Sequence, residues 1–163
     1  MVEANAGPHT GYFRGAAHIL PLRVYYEDTD AAGIVYYANY LRFMERGRSD
    51  MLRLLDIPVA GVDIFDGNNP SSTLFVVRRC EVEYLRPARL NDGLEVCTSL
   101  VHLGGASITM AQSVSRDGTD LVDALIKVAC VAADGRPKRM PPQVRTTLRQ
   151  LTLENEGNLR NAG

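Results

Sequence analysis

The stretch from Tyr26 to Arg48, YEDTDAAGIVYYANYLRFMERGR, joins a cluster of acidic residues to the start of a helix pattern. Its first part places Glu27, Asp28 and Asp30 close together, and an Ala-Ala-Gly sequence follows that favours a turn. Its second part repeats apolar residues at spacings of three and four, which is the period of an amphipathic helix. We therefore predict a helix of about five turns that begins near Asn39, after the turn and the two tyrosines that follow the acidic cluster.

The predicted helix ends at Asp56-Ile57-Pro58, because proline cannot continue a helix. Asn39 is a candidate N-cap. Gly47, in the helix interior, costs about 1 kcal/mol relative to alanine, so we expect a close packing partner on its face. The polar side of the helix carries Arg42, Glu45, Arg46, Arg48, Ser49, Asp50 and Arg53.

Strand patterns occur on both sides of the helix. HILPLRVYYE, at 18–27, is apolar and aromatic enough for a strand, and Pro21 places its start near a sheet edge or a bulge. After a predicted loop at 61–72, four segments alternate apolar and polar residues with period two. These segments are LFVVRRCEVEYL, LEVCTSLVHL, ASITMAQSV and LVDALIKVACVAA. Gly104-Gly105 indicates a hairpin, and strands joined by short turns must be antiparallel.

The order of strand, long helix and four strands predicts an α+β fold in which an antiparallel sheet of about five strands wraps around one central helix. We predict three regions: a flexible arm at 1–17, the folded domain at 18–150, and a frayed tail at 151–163. PPQVRTTLRQL adds a short terminal helix before that tail. Such a sheet leaves an edge strand that can pair with a second copy, so we expect a homodimer or homotetramer.

Composition excludes several classes of protein. The net charge of −1 over 163 residues argues against a sequence-independent nucleic-acid binder. No apolar run approaches the ~20 residues that span a bilayer, and the N-terminus does not resemble a secretory signal. Cys80, Cys97 and Cys130 are widely spaced in apolar runs, which predicts buried, reduced thiols in a cytoplasmic protein. The absence of close Cys/His pairs predicts no metal site.

An acid next to a helix N-terminus has a specific chemical use. The first turn of a helix has unpaired N–H groups and a partial positive charge, which can stabilise an oxyanion. We expect the N–H groups near Tyr36, Tyr37 and Ala38 to face a substrate carbonyl. A carboxylate there can attack the carbonyl and form an anhydride, or deprotonate water as a general base. The alternative is that the acids only complement the helix dipole, worth roughly 0.3–1 kcal/mol each.

The complete string YEDTDAAGIVYYANYLRFMERGR is more specific than its parts. It resembles the signature of the 4-hydroxybenzoyl-CoA thioesterase family, and especially the acyl-CoA thioesterases associated with the Tol-Pal cell-envelope system of Gram-negative bacteria. The resemblance covers Leu22 to about Pro142, and RRCEVEYLRPARLNDGLEV is similar to the family's second strand and following turn. It implies the hotdog fold and an acyl-CoA thioesterase that needs no cofactor, since coenzyme A is part of the substrate. Acyl carrier protein and lipid-synthesis enzymes are possible partners.

The resemblance also assigns site residues by motif position. Asp30 matches the family's catalytic aspartate, Gly33 shapes the turn that lets the thioester approach, and the backbone N–H of Tyr37 polarises the carbonyl. Some members have histidine at the position of Tyr37. We therefore expect Asp30 to act without an imidazole partner.

Aromatic residues and a helix glutamate extend the candidate site. Tyr36, Tyr40 and Phe43 can line an acyl pocket, although such a stripe more often packs in a core. Other hotdog thioesterases use a glutamate on the helix, and Glu45 is the candidate here. Its place on the polar side favours instead an ion pair with Arg42, Arg46 or Arg48.

A coenzyme A substrate carries phosphates and needs cations. GRPKRMP places Arg136, Lys138 and Arg139 after the last strand, where they can bind phosphate or form a solvated basic loop. Arg86 and Arg89 form a second possible pair. With an active site at a dimer interface, these cations can come from the other subunit.

Two other functions are compatible with the same pattern. The first is a non-catalytic acyl-CoA-binding or interaction module that uses the pocket without turnover. The second is a hotdog dehydratase, whose chemistry needs a histidine base. His9, His18 and His102 all lie away from the helix start in sequence, which argues against the dehydratase.

Overall fold

The computed structural model describes residues 11–57 and 73–161, so the predicted loop at 61–72 and His9 lie outside the described residues. Its elements are β1 (Tyr12–Arg14), β2 (Ala17–Arg23), a 3-10 turn (Tyr26–Asp28), α1 (Asn39–Leu54), β3 (Thr73–Tyr84), β4 (Gly93–Leu103), β5 (Ser107–Arg116), β6 (Thr119–Ala132) and α2 (Pro142–Asn161). The strands form one six-stranded sheet in the order β1-β2-β4-β5-β6-β3. Every neighbouring pair is antiparallel.

Helix α1 is the central helix and packs against β2, β4 and β5. The predicted apolar stripe faces the sheet, and its buried members are Tyr40, Phe43, Met44, Gly47 and Met51. The predicted α+β hotdog architecture, a sheet wrapped around one long helix, is therefore confirmed. Burial of this stripe, at roughly 1.5–3 kcal/mol for each large apolar side chain, fixes the helix against the sheet.

Gly47 is explained by a close approach between α1 and β4. A Cβ atom at this position would lie 3.0 Å from Cγ1 of Val96 and 3.2 Å from Oγ1 of Thr98. The absence of a side chain lets the helix settle onto the strand, which offsets the helix-propensity cost of about 1 kcal/mol. The predicted close packing partner is therefore β4.

The sheet confirms the predicted hairpin at Gly104-Gly105 and buries one face of the last strand. Gly104-Gly105 lies in the turn between β4 and β5. β1 pairs only with residues 17–19 of β2, and Pro21 lies beyond them. There β2 is the edge of the sheet, so the N–H that proline lacks removes no hydrogen bond between strands. The inward face of β6 consists of Val122, Ala124, Ile126, Val128 and Cys130, all buried.

Strand β3 forms one edge of the sheet and is largely exposed. The register of β3 against β6 shifts between Val77 and Arg79, so Arg78 is an extra residue in the strand. The bulge changes the alternation predicted from the sequence. Residues on the α1 side of β3 are Phe75 and Val77 before the bulge, and Cys80, Val82 and Tyr84 after it. An apolar strand face therefore lies open at the sheet edge.

The structure differs from the predicted arm at 1–17, because residues 12–14 form strand β1 on the outer side of β2. The amide of Gly11 donates a hydrogen bond to Oδ2 of Asp50 on α1 at 2.7 Å. This bond joins the start of β1 to the central helix. The sheet consequently has six strands rather than about five.

The structure also differs from the predicted tail at 151–163, because α2 is a 20-residue helix that ends at Asn161. Leu148 and Leu151 are buried, and Nδ2 of Asn155 donates to the carbonyl of Leu100 at 3.0 Å. These contacts hold α2 against β4 and extend the folded unit past residue 150. No helix within residues 11–57 and 73–161 is long and apolar enough to cross a membrane.

The cysteines are free, as predicted, but they are not all buried. Cys130 is buried in β6, Cys97 is half-buried in β4, and Cys80 is exposed on β3. The prediction fails for Cys80 because its strand is the open edge of the sheet. Alternation in the sequence shows which face a residue takes and does not show whether that face is covered.

Candidate active site

Asp30 lies in a tight, exposed turn between the 3-10 turn and α1. Its N–H donates to the carbonyl of Ile34 at 2.9 Å, and its own carbonyl accepts from Gly33 at 3.0 Å. One carboxylate oxygen, Oδ1, accepts the N–H of Ala32 at 2.8 Å. The side chain is therefore held by its own turn at one oxygen, and the carboxylate faces solvent.

Gly33 has the backbone conformation that the turn requires. Its φ angle is +75°, in the left-handed region that favours glycine. No atom lies within 4 Å of the position a Cβ would occupy, so the glycine is needed for its backbone angle rather than for space. The predicted role in shaping the turn agrees with this geometry, and the approach of a thioester stays a prediction.

The amides before α1 differ in their availability. The N–H of Tyr36 donates to the carbonyl of Asp28 at 2.9 Å, so it is not free to bind a substrate. The amides of Tyr37 and Ala38 have no acceptor among the described residues. The predicted N-cap is wrong, since Ala38 is the N-cap and Nδ2 of Asn39 donates to the Asp28 carbonyl at 2.9 Å. Two donors at the helix start remain for a ligand.

Aromatic side chains surround this helix start. The Tyr84 hydroxyl donates to the carbonyl of Tyr37 at 3.1 Å, and the two rings meet edge to face at 6.1 Å. Tyr36 and Tyr37 are both exposed, with ring centroids 4.8 Å apart. A side-chain hydrogen bond with Tyr37 raises the pKa of Tyr36. Tyr84 on β3 was not identified from the sequence, because only the folded sheet brings it to the helix.

Tyr40 occupies the core rather than the open site. Its side chain is 3% exposed, and its hydroxyl accepts the N–H of Ala88 at 3.0 Å. Burial raises the pKa of Tyr40. The predicted contact with substrate does not fit this placement in a single chain, and the alternative of core packing describes both Tyr40 and Phe43.

The other acids of this segment and of α1 differ in burial and in hydrogen bonding. Asp28 is buried, and its Oδ2 accepts the N–H of Tyr25 at 2.8 Å. Glu27 is exposed. Glu45, expected to pair with an arginine, accepts a hydrogen bond from the Ser49 hydroxyl at 2.6 Å. Among the acids before α1, Asp30 is the nearest in sequence to the unpaired amides, and its carboxylate is exposed.

The predicted phosphate-binding cations lie at the opposite end of the sheet from Asp30. The loop with Arg136, Lys138 and Arg139 folds back onto the end of β6, where Thr73 of β3 pairs with Ala132. Tyr84, at the Asp30 end of β3, pairs with Val122. At about 3.3 Å per residue, the two ends are roughly 30 Å apart. Within one chain, these cations and Asp30 do not meet.

Arg89 is the basic residue closest in backbone pairing to the Asp30 turn. It forms an isolated bridge with Ile34, and the N–H of Val35 donates to the adjacent carbonyl of Ala88 at 2.9 Å. Arg86 lies nearby and donates to the Asp120 carbonyl at 3.0 Å. The second predicted cation pair is therefore the one that the fold places beside the candidate site.

A buried polar cluster beneath α1 was also not identified from the sequence. Arg48 donates to Oε1 of Gln112 at 2.8 Å, and Nε2 of Gln112 donates to Thr98 at 2.8 Å and to the Met44 carbonyl at 2.9 Å. Burial lowers the pKa of Arg48. A glutamine in an alternating strand is the one sequence signal for such a cluster, and its partners come from elements distant in sequence.

The described histidines do not reach the helix start. His18 is buried, and its Nε2 lies 2.8 Å from Oδ2 of Asp50. His102 is exposed near the end of β4. The placement of His18 and His102 is consistent with the sequence argument against a dehydratase.

Known protein sequences match this chain over most of its length. The family model described as the thioesterase-like superfamily matches residues 24–148. The acyl-CoA thioester hydrolase YbgC of Escherichia coli is 38% identical over 132 residues, covering 80% of this chain and 94% of the relative.

Two solved structures also match. A probable thioesterase from Bartonella henselae is 36% identical, with a TM-score of 0.71, and the match covers 77% of this chain and 99% of that one. A thioesterase from Thermus thermophilus, complexed with coenzyme A and zinc, is 30% identical with a TM-score of 0.64, covering 85% and 95%.

Proposed function

Since this chain belongs to the thioesterase-like superfamily and is a thioester hydrolase, we propose that it converts acyl-CoA and water to a carboxylic acid and free coenzyme A, with Asp30 as the reacting carboxylate. The observation that carries this proposal is the exposed Asp30 carboxylate in the turn that leads to α1, whose first amides, those of Tyr37 and Ala38, have no acceptor among the described residues. A reacting carboxylate and N–H donors for the developing oxyanion are groups that acyl transfer uses.

The proposed reaction gives a role to each of these groups. The Tyr37 amide donates to the thioester oxygen and stabilises the negative charge that develops there. Either Asp30 attacks the carbonyl carbon, or Asp30 takes a proton from a water that attacks it. A C–O bond forms, the C–S bond breaks, and coenzyme A leaves as a thiolate that takes up a proton. In the nucleophilic route, water then cleaves the anhydride and restores Asp30.

We expect the purified protein to release thiol from at least one acyl-CoA in a panel of aliphatic and aromatic thioesters. Release is measured with a thiol reagent, and binding of the same compounds is measured by calorimetry. An acyl-CoA that binds and stabilises the protein without any thiol release across the panel would favour the non-catalytic binding module. Acyl groups carried on acyl carrier protein belong in the same panel, because they present the same thioester.

The three free cysteines agree with a reducing compartment such as the cytoplasm.

We further propose that the active unit is at least a homodimer formed through β3. This strand is a sheet edge with an apolar inner face that includes the exposed residues Val77, Cys80 and Tyr84. Two copies of β3 that pair antiparallel about its middle would join two sheets and cover this face. Within one chain, the basic loop lies at the Thr73 end of β3 and Asp30 lies at the Tyr84 end. Antiparallel pairing would place the Thr73 end of one strand beside the Tyr84 end of the other. The partner's basic loop would then approach Asp30.

Substitution Cys80→Glu tests this edge, because it would place two carboxylates in an apolar contact near the two-fold axis. We expect wild type to have at least twice the 17.9 kDa mass of one chain by light scattering, and the variant to shift to the single-chain mass and lose thiol release. Lys127→Glu, on an exposed position of β6, introduces the same carboxylate with a larger charge change (−2 against −1) and leaves the edge intact. A fully active wild-type monomer would contradict the proposed dimer.

A further inference from the structure

A cavity of about 310 Å³ lies between the second half of α1, the strands and α2. Its polar lining residues, Glu45, Arg48 and Ser49, all belong to α1. The remaining lining is apolar and comes from α1, β3, β4, β5, β6 and α2. The volume is about twice that of an engineered apolar cavity that binds one benzene, so it is large enough for a substantial hydrocarbon group.

The exposure of the lining residues distinguishes the open end of the cavity from its closed end. Val77 of β3 is 48% exposed and Glu45 is exposed, which identifies the gap between β3 and α1 as the mouth. Leu148 of α2 is 0% exposed, and Leu100 and Met110 are buried, which identifies the closed end. Helix α2 therefore forms the closed end with an apolar side chain, while the hydrogen-bonding groups lie on the α1 side.

The mouth is positioned to receive the acyl group of a substrate that reacts at the other subunit. In the proposed β3 pairing, the Tyr84 end of one strand lies beside Phe75 and Val77 of its partner. Tyr84 contacts Tyr37, the residue whose amide is proposed to hold the thioester. A thioester held there would direct its acyl group toward the neighbouring cavity mouth.

We propose that this cavity binds an unsubstituted hydrocarbon acyl group, and that Leu148 at its closed end limits the length of the acyl chain. The inference rests on the proposed function and on the β3 pairing. The apolar closed end has no side-chain hydrogen-bonding group among the described lining residues, so a hydroxyl carried into it would be left without a partner. An acyl group with a distal hydroxyl should consequently lose on the order of tenfold or more in kcat/KM relative to its unsubstituted counterpart.

Two substitutions at Leu148 test the limit in opposite directions. Leu148→Ala lengthens the cavity and should move the preferred acyl chain to longer members of a C4 to C16 series. Leu148→Phe fills the cavity and should move the preference to shorter members. Each methylene group of the acyl chain that enters or leaves the cavity should change kcat/KM about fourfold. General destabilisation of the fold cannot produce shifts of opposite sign from one position. Gln150→Phe, at an exposed position of the same helix, is the matched control and should leave the profile unchanged.

Binding of a non-hydrolysable thioether, S-octyl-CoA, separates this inference from the proposed function. Calorimetry should show that wild type binds S-octyl-CoA more tightly than free coenzyme A, and that Leu148→Phe removes most of the difference. If wild type releases no thiol from any acyl-CoA, the proposed function fails, while this binding difference still tests the cavity. Unchanged chain-length profiles and unchanged S-octyl-CoA binding in both variants would overturn the cavity proposal and leave Asp30 chemistry standing. A preference for hydroxyaryl over linear acyl groups would also overturn it.

Discussion

Asp30→Asn is expected to lower kcat/KM for the best acyl-CoA by at least about a hundredfold, the lower end of what a positioned general base contributes. The amide can neither attack a thioester nor accept a proton from water. The asparagine keeps the size of the side chain, and its carbonyl oxygen can still accept the Ala32 N–H that holds the turn. The loss should therefore appear in kcat, with little change in thermal stability. Thiol-release kinetics and a melting curve on the same preparation measure both.

Glu27→Gln is the matched control, because it neutralises an exposed acid three residues away in the same segment. It should retain activity close to wild type. If Asp30→Asn and Glu27→Gln had the same kcat/KM, the carboxylate of Asp30 would not be the reacting group.

The two routes open to Asp30 differ in their intermediate. Hydroxylamine added during turnover can convert an anhydride on Asp30 to a hydroxamate, which raises the mass of the chain. Direct attack by water leaves the mass of the chain unchanged. Both routes would use the same carboxylate and the same N–H donors.

Asp50→Ala is expected to lower the free energy of unfolding by about 2–6 kcal/mol, because each of the two buried donors that lose their acceptor costs about 1–3 kcal/mol. Oδ2 of Asp50 accepts from Gly11 at 2.7 Å and lies 2.8 Å from Nε2 of His18, which is 0% exposed. The alanine would leave both donors buried without an acceptor. Urea unfolding at neutral pH measures the loss of stability. At low temperature, the Asp50→Ala molecules that remain folded should still release thiol, because Asp30 is unchanged in them.

Arg53→Ala is the control for this site. The Arg53 guanidinium lies 3.4 Å from Oδ1 of the same Asp50, but its side chain is 69% exposed. Exposed ion pairs contribute about 0–1 kcal/mol, so this variant should unfold within that range of wild type. An equal loss in Arg53→Ala and Asp50→Ala would contradict the importance of the buried contacts.

The same pair gives stability a pH dependence. Burial lowers the pKa of His18, and the hydrogen bond and charge of Asp50 offset only part of this effect. Nδ1 of His18 is buried without a partner in the described part of the chain, so a second proton would have no acceptor. The folded state then binds fewer protons than the unfolded state, and stability is lost as pH falls below about 6.5. His18→Gln can still donate to Asp50 without titrating, so its melting temperature should fall less between pH 7 and pH 5.

The elements with strong local patterns were predictable from the sequence. The helix stripe from Tyr40 to Met51, the hairpin at Gly104-Gly105 and the inward face of β6 all follow from periods that neighbouring residues determine. Strand β1 was not predictable, because its three residues are ordered by pairing with β2 and by the distant contact between Gly11 and Asp50. A short polar segment carries no signal for such a contact.

The candidate site shows the same division. The turn around Asp30 and Gly33 is local, and the motif identifies it. Tyr84 is brought to Tyr37 by the sheet, 47 residues along the chain, and no spacing rule indicates that meeting. The basic loop at 136–139 was a candidate for binding phosphate from its composition, and the length of β6 separates it from Asp30 within one chain.

The order of the strands has a consequence for how the chain folds. Strand β3 is made before β4, β5 and β6, yet its only neighbour in the described sheet is β6. During synthesis, β3 leaves the ribosome before β6, which is its hydrogen-bonding partner. It stays unpaired until β4, β5 and β6 have also been made. Such long-range pairing is slow to form and leaves an apolar strand accessible to other chains. The same strand proposed to join two mature subunits is therefore the one most in need of protection in a nascent chain.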